Sequence, residues 1–284
     1  MKKLAIVSGK GGTGKTSLIG SFAALAGGSA VLVDGDVDAA NLSLITGAKI
    51  VESNDFYVSK VAAIDQESCN ACNLCLELCR FDAIKTGYSI DLIACEGCAL
   101  CCYACPQGAI KMDDKLSGQW FVSETAYGTL VHARLGIAEE NSGKLVTVIR
   151  NKGEELALAG GKDYLLIDGP PGIGCPVIAS LSGMDRALVV TEPTVSGVHD
   201  LKRIIEVCLH FKVPVGVCIN RCDLDEDKTS DIDSYCQEEN IPVIGKIPYN
   251  QSFVHAMLSK MPLVKYDHGL ISSLIEEVWD NFRS

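Results

Sequence analysis

Two sets of residues in this 284-residue chain have types and spacings that can do chemistry. The first is a loop near the start, Gly9-Lys10-Gly11-Gly12-Thr13-Gly14-Lys15-Thr16, followed by Ser17. Gly9, Gly14, Lys15 and Thr16 fill the pattern G-x-x-x-x-G-K-[ST]. A phosphate chain must lie on backbone N–H groups at a helix N-terminus, where the dipole favours negative charge, and side chains would block that approach. Lys15 would neutralise β- and γ-phosphate oxygens, and the Thr16 hydroxyl would ligate Mg²⁺. The second set is cysteine. Nine of the fourteen lie between Cys69 and Cys105. Disulfides are disfavoured in a reducing compartment, so thiolate ligation of a metal is the chemistry to weigh.

The phosphate loop needs a strand before it and a helix after it. Leu4–Val7 is a short apolar run that reads as a strand, and Ser17–Ala26 reads as a helix. Ala30–Val33 reads as a second buried strand, ending in Asp34-Gly35-Asp36-Val37-Asp38. Carboxylates at the C-terminal end of a parallel strand stand at the nucleotide crevice. Tyr164–Ile167 is a third such strand and ends in Asp168-Gly169-Pro170-Pro171-Gly172; an apolar strand closed by an aspartate is the pattern in which that carboxylate would hold Mg²⁺ through water. Ala187–Thr191 and Val213–Ile219 continue the series, with a helix over Val198–Phe211 between them. Gln119–Val122 and Leu145–Ile149 also read as strands. Thr129–Gly136 and the turn Glu140–Lys144 read as connections. The expected fold is α/β: a mostly parallel sheet with helices on both faces.

The middle of the chain breaks this pattern and repeats itself. Cys69-x2-Cys72-x2-Cys75-x3-Cys79 recurs as Cys95-x2-Cys98-x2-Cys101-x3-Cys105, and Ala83-Ile84-Lys85 recurs as Ala109-Ile110-Lys111 at the same offset. Zinc Cys₄ sites usually use two separated C-x2-C knuckles, whereas these tandem runs resemble a bacterial two-cluster ferredoxin. That resemblance implies an α+β insert and two 4Fe–4S clusters. One would be held by Cys69, Cys72, Cys75 and Cys105, the other by Cys79, Cys95, Cys98 and Cys101. The first repeat has Arg80 where the second has Pro106, a position that shapes a turn and is not a ligand. Cys102 is the spare cysteine of this block.

The flanking parts resemble the MinD/ParA/nitrogenase iron protein superfamily of P-loop ATPases. Lys10, a second lysine early in the loop, matches that superfamily's deviant Walker A. It implies a lysine that reaches the nucleotide of a second copy across an ATP-dependent homodimer. By the same resemblance Asp36 orients the attacking water, so Lys10, Lys15 and Asp36 are the expected catalytic residues. Asp168 with Thr16 is expected at Mg²⁺, and Gly172 is expected to offer its N–H to the γ-phosphate. Asn220 is expected at the base, and Pro248, in Gly245–Tyr249, against the adenine. The domains then run 1–56 and 117–284 for the ATPase, with 57–116 as the inserted ferredoxin-like domain.

Composition narrows the partners. The net charge is −11, which argues against non-specific nucleic-acid binding. No apolar run approaches a membrane span, and Met1-Lys2-Lys3 leads straight into a core strand without a signal-peptide pattern, so the chain reads as cytoplasmic. Ile271, Leu274, Ile275, Val278 and Phe282 form a helical apolar stripe. Glu276, Glu277 and Asp280 beside it deny it the basic face an anionic membrane attracts, so the stripe reads as core. Cys175 lies seven residues past Asp168, where nitrogenase iron protein carries an interface-cluster ligand, but Ala126–Gly143 supplies no second cysteine.

The leading functional expectation is an ATPase, slow without its partner, that couples dimer closure to electron transfer or metallocluster maturation with a protein partner. An iron–sulfur carrier or scaffold, and a positioning or regulatory ATPase with clusters as sensor, are the alternatives.

Overall fold

The computed structural model describes residues 1–136, 139 and 142–284. These residues form two compact units. The larger comprises Met1–Asn54, Trp120–Arg134 and Ser142–Ser284. The smaller is Asp55–Gln119 with Leu135, Gly136 and Glu139 among the described residues. No helix among the described residues is long and apolar enough to cross a membrane.

The larger unit opens with β1 (Lys2–Ser8), α1 (Lys15–Ala26), β2 (Ala30–Asp34) and the short α2 (Leu42–Thr46). Two long strands, β3 (Lys49–Ile64) and β4 (Ile110–Thr125), are shared by the two units. Between them in sequence lie α3 (Leu74–Leu78) and α4 (Leu100–Ala104). Then follow β5 (Gly128–Leu135), α5 (Ser142–Ala159), β6 (Tyr164–Pro171), α6 (Cys175–Leu181), β7 (Arg186–Thr191) and α7 (Val195–His210). The chain closes with β8 (Val215–Asn220), α8 (Glu226–Glu238), β9 (Val243–Ile247), α9 (Ser252–Leu258), α10 (Leu263–Tyr266) and α11 (Leu270–Arg283). The sheet order is β3-β4-β5-β2-β6-β1-β7-β8-β9. Strands β5, β2, β6, β1, β7, β8 and β9 all pair in parallel.

Alternation along the central strands assigns the two faces. Leu4 and Ile6 of β1, Leu32 of β2 and Leu166 of β6 join one buried cluster with Phe22 of α1 and Ile275, Val278, Trp279 and Phe282 of α11. The opposite parity faces α5: a Cβ on Gly153 would stand 2.4 Å from Val33 and 3.2 Å from Leu165. Strands covered on both faces must be apolar throughout, as these are. Phe22 lies with its ring centroid 5.2 Å from that of Trp279 and 6.1 Å from that of Phe282. The stripe of α11 is therefore consumed by the core.

Three local readings need correction. Leu145–Ile149 is not a strand but part of α5. Its apolar residues continue as Leu145, Val146, Ile149, Gly153 and Ala157 on one buried helical face, and that 3.6-residue period outweighs the β-branched content of the first turn. Ser142, Gly143 and Lys144 open this helix, and Glu140 and Asn141 of the expected turn lie outside the described residues. Thr129–Gly136 is not a connection: Gly128–Leu135 is β5, in register with β2 from Val31↔Thr129 to Asp34↔His132. His132 and Arg134 disguise it, but His132 is buried, accepting or donating a 2.8 Å bond with Ser123.

The smaller unit carries the sequence repeat into structure. Helices α3 and α4 are each five residues long, each follows a left-handed residue (Asn73 φ 64°, Ala99 φ 63°), and each ends on an extended cysteine, Cys79 and Cys105. The left-handed residues reverse the chain between the second and third cysteine of each run. All cysteines are free.

Candidate functional site

The nucleotide loop is built by β1, which delivers Ser8, and α1, which starts at Lys15. Its glycines do different work. Gly14 sits at φ 95°, and a Cβ there would be 2.5 Å from the Asn220 amide; Gly9 packs on α7, where a Cβ would be 2.5 Å from that of Asp200. Gly11 and Gly12 face open space, so these two leave room for a ligand. Lys15 is buried and donates from Nζ to Ser8 Oγ at 2.7 Å. The same hydroxyl donates to the Lys10 carbonyl, and the Ser8 carbonyl accepts from Gly172 N at 2.9 Å. Ser8 thus ties the loop to the turn after β6, a role its type and place in the sequence did not announce.

Three carboxylates close the far side. Asp34 is fully buried; its two oxygens accept from the Asp36 and Leu42 N–H groups, fixing the loop that carries Asp36. Burial, then the nearby Asp168 carboxylate, push the Asp34 carboxyl well above its usual range. Burial raises Asp168 to about 6, against the pull of Lys15 and a hydrogen bond from Thr16. Burial also raises Asp36, with Lys15 opposing. Burial lowers Lys15, with Asp168 and then Asp36 opposing. Asp168 Oδ1 and Thr13 Oγ1 are buried without a hydrogen-bond partner. An orphaned carboxylate oxygen next to the Thr16 hydroxyl has the donor chemistry of a Mg²⁺ site completed by water and phosphate.

Gly11, Gly12, Lys15, Thr16 and Asp36 line a cleft of about 610 Å³ whose lining also includes the large side chains of Tyr249, Phe253, Val254 and Met257. Asn220 lines the cleft and also holds the loop: Nδ2 donates to the Thr13 carbonyl at 2.8 Å and Oδ1 accepts from Arg221 N. Two other expected contacts are placed differently. Pro248 is behind its neighbours, and Tyr249 and Asn250 are the lining residues. The Gly172 N–H is committed to Ser8 and does not face the cleft. Lys10 turns to its own chain. Its Nζ lies 2.5 Å from Glu192 Oε1, 3.0 Å from Thr194 Oγ1 and 3.2 Å from Ser196 Oγ. Glu192, nearly buried, also pairs with Arg221 at 2.8 Å. Nothing in the sequence marked Glu192 beyond its place after a strand.

In the smaller unit the structure brings the cysteines together in two groups. Cys69, Cys72, Cys75 and Cys105 line one small cavity. Cys79, Cys95, Cys98 and Cys101 line another. Each cavity takes three thiols from one repeat and the fourth from the other. Among the described residues no three such side chains converge on a single-ion site. Four thiols around a cavity, rather than a point, suit a polynuclear group. Cys102 lines neither cavity and donates its thiol to the Ile110 carbonyl at 3.0 Å. Cys175 is exposed at the start of α6.

Residues 4–263 match the family described as CobQ/CobB/MinD/ParA nucleotide binding domain. The chain belongs to this family, as a MinD/ParA-type nucleotide-binding ATPase. It is 37% identical over 221 residues to the uncharacterized protein MJ0578 of Methanocaldococcus jannaschii, covering 77% of this chain and 78% of that one. It is 27% identical over 261 residues to the septum site-determining protein MinD of Bacillus subtilis, covering 89% and 78%. Its fold is similar to that of MinD complexed with Mg-ADP from Pyrococcus horikoshii, with a TM-score of 0.59 at 18% identity over 98% of this chain and 94% of that one.

Proposed function

We propose that this chain is an ATP-hydrolysing iron–sulfur protein that couples nucleotide-dependent pairing of two copies to electron transfer, or to metallocluster maturation, on a protein partner. The observation that carries this reading is the pair of cavities, each ringed by four thiols drawn crosswise from two repeats, on a chain with a complete phosphate loop.

The residues divide the work. Gly11, Gly12, Thr13, Gly14 and Ser17 surround the phosphates, and Lys15 leaves Ser8 to meet the β- and γ-oxygens. Thr16 and Asp168 hold Mg²⁺ (Asp168 through water), as the orphaned Asp168 oxygen permits. Asp36, held beside Lys15 by the Asp34 anchor, orients the attacking water. Tyr249 and Phe253 offer apolar surface to the base, Asn220 lines the same cleft, and Pro248 adjoins Tyr249. Lys10 leaves Glu192 for the nucleotide of a second copy. For Gly172 to reach a γ-phosphate its bond to Ser8 must break, which links phosphate occupancy to movement of the turn after β6. The cysteine groups fit two 4Fe–4S clusters, which supply one-electron chemistry when bound.

Cys72 and Cys98 are exposed, and this single observation favours the carrier reading, since a transferable cluster needs reachable ligands. A redox titration of the anaerobic holoprotein with and without MgATP, counting iron before and after, separates the two. A potential that shifts with all iron retained supports coupled electron transfer. An unchanged potential with iron lost to an added apo-acceptor supports the carrier.

A further inference from the structure

The two cysteine cavities are not equivalent, and the differences fall where a cluster would feel them. The repeat offset is constant, so each position has a counterpart: Asn70 with Glu96, Asn73 with Ala99, and Phe81 with Gln107. The cavity of Cys69, Cys72, Cys75 and Cys105 is lined by Asn70, Asn73, Gln107 and Tyr88 among apolar residues that include Ile64, Leu74 and Ile110. Three side-chain amides bring N–H groups to its lining. The cavity of Cys79, Cys95, Cys98 and Cys101 is lined by Phe81, Ile84, Ile90 and Met112, with one charged group, the Glu96 carboxylate. Backbone geometry is shared: Ala71 and Asn73 in one loop and Gly97 and Ala99 in the other all have positive φ near 60°. The contrast is therefore one of side chains.

One contact orients the polar set. The Tyr88 hydroxyl donates to Asn73 Oδ1 at 2.6 Å and lies 3.0 Å from the Ala71 carbonyl. The phenol takes the amide oxygen of Asn73 and so turns its NH₂ group the other way, while tying down the left-handed turn between Cys69 and Cys75. Among the described residues none does this in the other loop. There the close packing of Gly97 on the Lys60 carbonyl, where a Cβ would stand 2.4 Å away, fixes the turn instead.

We infer that the two clusters titrate at different potentials, and that the one held by Cys69, Cys72, Cys75 and Cys105 is the more easily reduced. Reduction adds one electron to a cluster from an outside one-electron donor. No bond breaks and no proton moves, so the cost is that of extra negative charge. Hydrogen bonds to cluster sulfurs and nearby charge are among the determinants of potential. Apolar residues are common to both cavities; what differs is that amide donors stabilise the added electron in one and a carboxylate opposes it in the other. An electron entering the pair settles on the first cluster. Asn73 and Glu96 are positioning and tuning residues here, not ligands.

This inference rests on the two-cluster reading, and the test separates the two. The anaerobic holoprotein is titrated with dithionite, with reduced clusters followed by electron paramagnetic resonance and iron counted on the same sample. The expected result is about eight iron atoms per chain and two resolved one-electron steps. Asn73→Ala is expected to lower the higher step and leave the lower one in place. Glu96→Gln is expected to raise only the lower step and serves if Asn73→Ala fails to load. Full iron with one common potential, or Asn73→Ala moving the lower step, overturns the inference and leaves the clusters standing. A sample without iron–sulfur signal, or with stoichiometric zinc, overturns the cluster reading itself.

Discussion

Lys15 and Asp36 line the same cleft and are expected to do separable jobs. Lys15 is buried at the head of α1 with Ser8 as a hydrogen-bond partner and two carboxylates acting on it. Lys15→Ala should abolish nucleotide binding, and retained MgATP affinity by calorimetry would refute the phosphate-loop assignment. Asp36→Ala should keep binding and lower turnover about 10²-fold or more, the usual contribution of a positioned base; an unchanged phosphate-release rate would remove Asp36 from the reaction. Gly14 is held at φ 95° against Asn220. Gly14→Ala should cost about 1–2 kcal/mol from the left-handed backbone alone, read as a lower thermal midpoint together with weaker nucleotide binding. At this scale the residue types were legible in the sequence, since no other pattern puts glycines before Lys-Thr at a helix start. Partners were not: the Asn220 amide also holds the loop, and Gly172 bonds to Ser8.

The elements position these residues through contacts far apart in sequence. The loop after β7 holds Lys10 on Glu192, and β8 delivers Arg221 to the same carboxylate. If Lys10 must leave Glu192 to serve a second copy, Glu192→Gln lowers that cost. Hydrogen bonds to charged groups are worth about 1.5–3 kcal/mol, so the MgATP-dependent dimer should form about tenfold more readily, as light scattering would show. A dimer fraction equal to that of the unaltered protein would mean the ion pair plays no part in pairing. On the other face, α11 closes the core. Trp279→Ala removes a ring stacked on Phe22 and should cost about 3–5 kcal/mol in urea unfolding. A smaller loss would show that α11 can collapse into the gap.

The whole molecule combines a doubly wound sheet with a cysteine-rich unit whose repeats exchange their fourth thiols. The exchange makes a sharp prediction. Cys105→Ser should remove the cluster of Cys69, Cys72 and Cys75 and about half the iron, leaving the spectrum of the other. Loss of the cluster shared by Cys95, Cys98 and Cys101 instead would show that each repeat binds its own.

The sequence by itself determined the phosphate loop, the strand-end aspartates and the parallel core strands. Each of these depends on residues close together in the chain, where spacing dictates geometry. The four-and-four division of the cysteines followed instead from the resemblance of the tandem runs to a two-cluster ferredoxin, since it joins Cys105 to the first run and Cys79 to the second. It misread the start of α5 as a strand because four apolar residues in a run of five look alike at either period, and only the continuation through Gly153, packed against Val33 and Leu165, to Ala157 resolved them. It missed β5 because His132 is polar in isolation and becomes core only beside Asp34 and Ser123. Ser8 as a hub, Glu192 as the seat of Lys10 and the unequal polarity of the two cysteine cavities were decided by the tertiary structure. They arise from side chains up to 182 residues apart, as between Lys10 and Glu192, whose meeting no local pattern encodes.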